Sequence, residues 1–112
     1  MKLIKLNEVG PERDVVEFLY RHNSEHLWNE DSLYISYEDF SFLAKSLDSI
    51  KKFNCYGPNI ITISQWNEIR DKVSMPENAI NGAEEILQLF SEVDEWINLD
   101  PKKADYFIID GI

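Results

Sequence analysis

The sequence predicts an α/β fold: a small, largely parallel sheet of three or four strands packed with about four helices. Three observations lead there. Two short β-branched or aromatic runs, Leu33-Tyr34-Ile35 and Ile60-Ile61-Thr62-Ile63, each pass into a serine and then an apolar stripe of helical spacing. A longer stripe of Ala83, Ile86, Leu87, Phe90, Val93 and Ile97 repeats every three or four residues, with one adjacent pair, as a helix face does. A final run, Tyr106-Phe107-Ile108-Ile109, reads as a buried strand. The 112 residues suffice for one hydrophobic core, so residues 1–112 are expected to form a single domain.

Taken in order, residues 3–6 alternate apolar and charged side chains and suit a short strand. Gly10-Pro11 breaks it, and Pro11 fits the first turn of a helix. From Glu12, the residues Val15, Phe18, Leu19 and His22 fall at helical spacing, which predicts a helix ending near Asn23 or Ser24. A further helical turn is expected over residues 25–29. Ser36 and Ser64 stand where a hydroxyl accepts from the orphan N–H groups of a new helix, and Asp39 suits the positive helix end. The two helices then run through Phe40, Leu43, Leu47 and Ile50, and through Trp66, Ile69 and Val73. Residues 54–59, with Gly57-Pro58, form the loop between these units, and Met75-Pro76 precedes the long helix. Asp100-Pro101 ends that helix, because a residue before proline avoids helical dihedrals.

Apolar content of 44% with 12% aromatics argues against disorder, although the net charge is −10. That charge excludes a nucleic-acid backbone and an anionic membrane as direct partners, since both need clustered Lys and Arg. No run approaches the roughly 20 apolar residues of a membrane span, and the polar N-terminus does not suit a signal peptide. Cys55 is the one cysteine, so neither an internal disulfide nor a thiolate metal cage can form. A cytoplasmic monomer is expected.

Catalytic constellations are weak. His22 and His26 are four apart with Glu25 between them, but His22-Asn23-Ser24-Glu25-His26 lacks the H-E-x-x-H order, and no spacing compels Glu30 or Asp31 to complete a metal site. Cys55 has only Lys51 and Lys52 nearby to activate it. The four glycines, at 10, 57, 82 and 111, build no phosphate loop. The expectation is a protein that is not an enzyme, with no catalytic residue, no metal and no cofactor.

The placement of the acids is more informative than their number. Between Arg21 and Lys45 stand Glu25, Glu30, Asp31, Glu38 and Asp39, with no Lys or Arg. Between Lys72 and Lys102 stand Glu77, Glu84, Glu85, Glu92, Asp94, Glu95 and Asp100, again with none. These are more than half of the 21 carboxylates, and unneutralised like charges weaken a compact state unless something positive docks on them. On the last helix Glu85, Gln88, Glu92 and Glu95 run away from the apolar stripe, flanked by Leu89 and Trp96. Two readings stay open: an exposed Trp96 beside an acidic row facing a basic partner, or Leu89 and Trp96 widening the core stripe.

Asn81-Gly82-Ala83-Glu84, with Leu87-Gln88, Phe90 and Glu92, resembles the last helix of the barstar family of cytoplasmic ribonuclease inhibitors. Asn23-Ser24-Glu25-His26-Leu27-Trp28-Asn29 is similar to that family's inhibitory loop and helix, in which acids flanking a Leu-Trp pair plug a basic active site. The resemblance implies a small parallel sheet packed with helices. It also implies partner-binding roles for Glu25, Trp28, Asn29, Glu92 and Trp96, with Glu92 and Glu25 as the matching acids; the acidic row of the last helix adds Glu85. Asn29 departs from the pattern, standing uncharged where the family carries its most important Asp. The chain also resembles, in size and charge alone, the small acidic immunity proteins that protect bacteria from delivered toxins. The resulting expectation is an immunity protein that blocks the active site of a basic toxin domain, a nuclease. The alternative is a small acidic regulatory or scaffold interaction domain.

Overall fold

The structure, a computed structural model, describes residues 3–10, 14–48, 58–73 and 83–111. Four strands form one sheet: β1 (Val15–Tyr20), β2 (Leu33–Ser36), β3 (Pro58–Thr62) and β4 (Tyr106–Gly111), in the spatial order β2-β1-β4-β3. Every neighbouring pair is antiparallel. Three α-helices accompany them: α1 (Tyr37–Asp48), α2 (Ile63–Val73) and α3 (Ala83–Asn98).

The largely parallel sheet with about four helices expected from the sequence is therefore not what forms, and the reason lies in the connections. A parallel neighbour needs a helical crossover between consecutive strands. Here β1 passes to β2 through a 3-10 turn (Arg21–Asn23) and an irregular loop, which reverses the chain without a helix. Among the described residues two helices lie between β3 and β4, and their contacts run in opposite order: Ile63 lies by Ile97 and Asn98, while Arg70 reaches Asp94. A path of strand, helix, helix and strand reverses the chain three times, an odd number, so β4 returns antiparallel to β3. The parallel sheet implied by the barstar resemblance is overturned with it.

The helix expected from Glu12 is β1. All six residues of Val-Val-Glu-Phe-Leu-Tyr are buried, so neither face of the strand shows a polar alternation. A strand covered on both sides is indistinguishable by periodicity from a short helical stripe, and Val15, Phe18 and Leu19 matched the helical spacing by accident. Residues 3–6 contribute only an isolated bridge, Ile4 to Tyr34, before a 3-10 turn over Leu6–Glu8. Residues 25–29 are not helical either, and Trp28 has a φ of 64°.

The elements from β2 onward follow the sequence more closely. Ser36 Oγ accepts the Asp39 N–H at 3.1 Å and starts α1 as expected. The cap of α2 is Thr62 rather than Ser64: Thr62 and Gln65 exchange backbone-to-side-chain hydrogen bonds, both 3.0 Å, in a capping box. Leu47, Ile50, Cys55 and Met75 lie outside the described side chains. On α3 the buried stripe is Ile86, Leu89, Phe90, Val93 and Trp96, whereas Leu87 is 38% exposed.

The core lies between the helices and the face of the sheet bearing Val16, Phe18 and Tyr20. Phe18 is its hub, stacked on Phe107 at 6.2 Å and edge-on to Phe40 and Trp66. Trp66 meets Phe90 at 4.5 Å, and its indole N–H donates to Asp94, which also takes Arg70 at 2.6 Å. Among the described residues, no helix is long and apolar enough to cross a membrane.

Candidate interaction surface

The two segments without a Lys or Arg meet at one end of α3. Asp31, just before β2, accepts from Asn23 Nδ2 at 2.6 Å and lies 3.2 Å from His22 Nε2. Its backbone carbonyl accepts the Trp96 indole N–H at 2.7 Å, which ties the loop to the helix. The other ring nitrogen of His22, Nδ1, is 3.7 Å from Asp100. Asp100 is buried and folds the following turn by accepting the N–H groups of Lys102 and Ala104. The imidazole is thus flanked by one carboxylate from each acidic segment and rests on the Tyr20 ring, which stacks on Trp96 at 4.2 Å. Burial, then the charges of Asp100 and Asp31, push the Tyr20 hydroxyl up to about 12, so it stays protonated and donates to the Trp96 carbonyl.

Trp96 is not an exposed side chain beside an acidic row. It is 3% exposed, Leu89 is 1% exposed, and both widen the core stripe. Trp96, one of the residues expected at a partner surface, has its indole enclosed between Tyr20, Phe107 and the Asp31 carbonyl. Asp94 and Asp100 also leave the acidic row, since one holds Trp66 and Arg70 and the other its own turn. Glu85, Gln88, Glu92 and Glu95 do present an exposed polar face on α3, and Glu25 and Glu30 are exposed on the loop.

Trp28 and Asn29 are partly buried and turned inward onto a residue that the sequence did not single out. Glu17, in the middle of β1, has no solvent exposure. One carboxylate oxygen accepts the Trp28 N–H at 2.7 Å; the other accepts the Asn29 N–H at 3.2 Å and the Asn29 side-chain amide at 3.0 Å. Trp28 stacks on Tyr34 at 5.8 Å, and the Tyr34 hydroxyl donates to the Asn29 carbonyl. The only signal for Glu17 was a lone acid inside an otherwise apolar run, and such an acid reads first as the wet side of an amphipathic element.

Glu17 has Tyr34 opposite it on β2 and Asp110 opposite it on β4. Burial and then the Glu17 carboxylate raise the Tyr34 hydroxyl above its usual range. The same two causes, in the same order, raise the Asp110 carboxyl. An acid whose folded pKa is raised favours the folded state while protonated, and that contribution is lost as pH climbs from its ordinary value through its raised one. Asp110→Asn should therefore stabilise the protein by roughly 0.2–1 kcal/mol at pH 7, the scale of like charges facing each other across strands. The gain should vanish near pH 3.5, as urea unfolding at the two pH values will show.

Among the described residues, no three His, Cys, Asp or Glu side chains converge to hold a metal. His22 is directed at Asp31 and Asp100 rather than at Glu25 and His26. An open recess of about 580 Å³ is lined by Lys5, Leu6, Asn7 and Glu30, with no nucleophile–base pair among them. No protein-family model, no curated protein and no solved structure matches this chain.

Proposed function

We propose that this chain is a non-enzymatic immunity protein of the cytoplasm that binds a basic toxin domain, a nuclease, and blocks its active site with an acidic surface. The observation that carries this reading is the meeting of the two segments that lack a Lys or Arg, tied by the Trp96 to Asp31 bond, with exposed acids on both sides of the tie. Carboxylates on one surface sum into a field that attracts a cationic cleft from beyond contact distance. The contact residues are Glu25 on the loop and Glu85 and Glu92 on α3. Trp28 and Asn29 support the loop from within.

Co-expression tests this. A toxic domain encoded beside this chain's gene should become harmless when the chain is present, and purified partners should associate quickly at low salt and more slowly as salt rises. The double substitution Glu85→Lys, Glu92→Lys should slow association about tenfold or more while changing dissociation little. Undiminished toxicity beside the native chain would leave the acids to solubility, and an unchanged on-rate in the variant would remove α3 from the interface.

A further inference from the structure

Residues 21–32 join two antiparallel neighbours, β1 and β2, for which a hairpin loop of about two to five residues suffices. The longer path is largely irregular, yet it is pinned along its length. Asn23 Nδ2 donates to Asp31 at 2.6 Å, and the Asn29 side-chain amide donates to the His26 carbonyl at 2.7 Å. The Trp96 indole holds the Asp31 carbonyl from α3, and the Tyr34 hydroxyl holds the Asn29 carbonyl from β2. Beneath them the Glu17 carboxylate accepts the N–H groups of Trp28 and Asn29 and the Asn29 amide.

Two features of this arrangement are unfavourable in themselves. A carboxylate buried in mid-strand costs stability that an apolar side chain there would not. Trp28 holds a φ of 64°, a left-handed conformation that a bulky residue keeps only where its surroundings impose it. Neither is needed to pair β1 with β2. Both bear on the same stretch of loop, where Trp28 and Asn29 turn inward while Glu25, His26, Leu27 and Glu30 remain exposed. Backbone strain of this kind collects at binding surfaces, where a fixed shape is used.

We propose that Glu17 is the positioning residue of the partner-binding loop: it fixes residues 24–31 from beneath in the shape that meets the partner, and touches no partner itself. This rests on the immunity reading above. A loop fixed before contact loses little conformational freedom on binding, so more of the contact energy of its exposed residues appears as affinity. The surface so presented has an apolar residue, Leu27, flanked in sequence by Glu25 and Glu30. It fits a cleft with a cationic rim and an apolar floor.

Glu17→Gln tests the role, because an amide has one acceptor oxygen for donors that approach both carboxylate oxygens. The native chain, this variant and Ile69→Val, a core substitution on α2, are each bound to the purified toxic domain encoded beside this chain's gene. The Glu17→Gln complex should dissociate about tenfold faster or more, while association keeps its native salt dependence because the exposed acids are the same. Ile69→Val should leave both rates native, which separates positioning of the loop from general loosening of the fold. Without any partner, ¹⁵N relaxation of the native chain should give residues 24–31 order parameters near the rigid value of about 0.85. Values below about 0.6 there overturn the proposal, and that measurement stands even if Glu17→Gln does not fold. Dissociation of Glu17→Gln at the native rate overturns the positioning role alone. A native chain that does not bind the toxic domain overturns the immunity reading, and the positioning role falls with it.

Discussion

Asn29→Asp should destabilise the protein by about 1–3 kcal/mol at neutral pH, the cost of leaving the buried Glu17 carboxylate without the donor it uses. The Asn29 amide donates to Glu17 at 3.0 Å and to the His26 carbonyl at 2.7 Å, so a carboxylate there meets two acceptors and one like charge. Two carboxylates that close share a proton, so the pair's protonation is favoured in the folded state. The penalty should accordingly shrink between pH 7 and about pH 4.5, which parallel urea titrations of variant and native chain will resolve. The barstar resemblance implies the opposite, since an Asp at this place is that family's strongest contact. A stable, tighter-binding Asn29→Asp chain would restore that resemblance and remove Glu17 from its place beneath the loop.

Trp96→Ala should cost about 4 kcal/mol, within the range for truncating a buried aromatic side chain. The substitution removes the stack on Tyr20, the edge contact with Phe107 at 5.7 Å and the donor to the Asp31 carbonyl. Trp96→Phe keeps most of the ring contact and loses the hydrogen bond, so about 1 kcal/mol should go with it. Chemical denaturation separates the two. A Trp96→Ala chain of native stability that bound its partner poorly would put the indole back on the surface.

The elements that could be read from the sequence are a helix with one wet face and short apolar runs bounded by turn residues. In α3 the polar row of Glu85, Gln88, Glu92 and Glu95 leaves a regular stripe, and β2 and β4 are short apolar runs beside turn residues. β1 was illegible because burial on both faces erases the period on which such readings depend. Strand direction was illegible for a different reason. It depends on whether residues 21–32 cross over or turn back, and that is decided by bonds from Glu17, Trp96 and Tyr34, remote in sequence or on another strand. The acidic residues of the surface were legible as types, and their exposure on α3 followed from helical spacing. Trp96 was misplaced in one of its two readings because a wide ring reaches the core from a position at the stripe's edge. The His22 junction assembles from three separate stretches of chain and leaves no local spacing.

The spatial order β2-β1-β4-β3 places the strand made last beside the strand made first. During synthesis β1, β2 and β3 all emerge before Tyr106–Gly111, and β1 and β3 have no direct pairing with each other. The apolar side chains of β1 thus wait, with one edge of the strand open, until nearly the whole described chain has left the ribosome. Pairing across so much sequence closes a long loop, which slows folding relative to a helical chain of the same length. Until β4 arrives, the open edges of β1 and β3 are templates for pairing with other chains, and this protein's exposure to misassembly is concentrated in that interval.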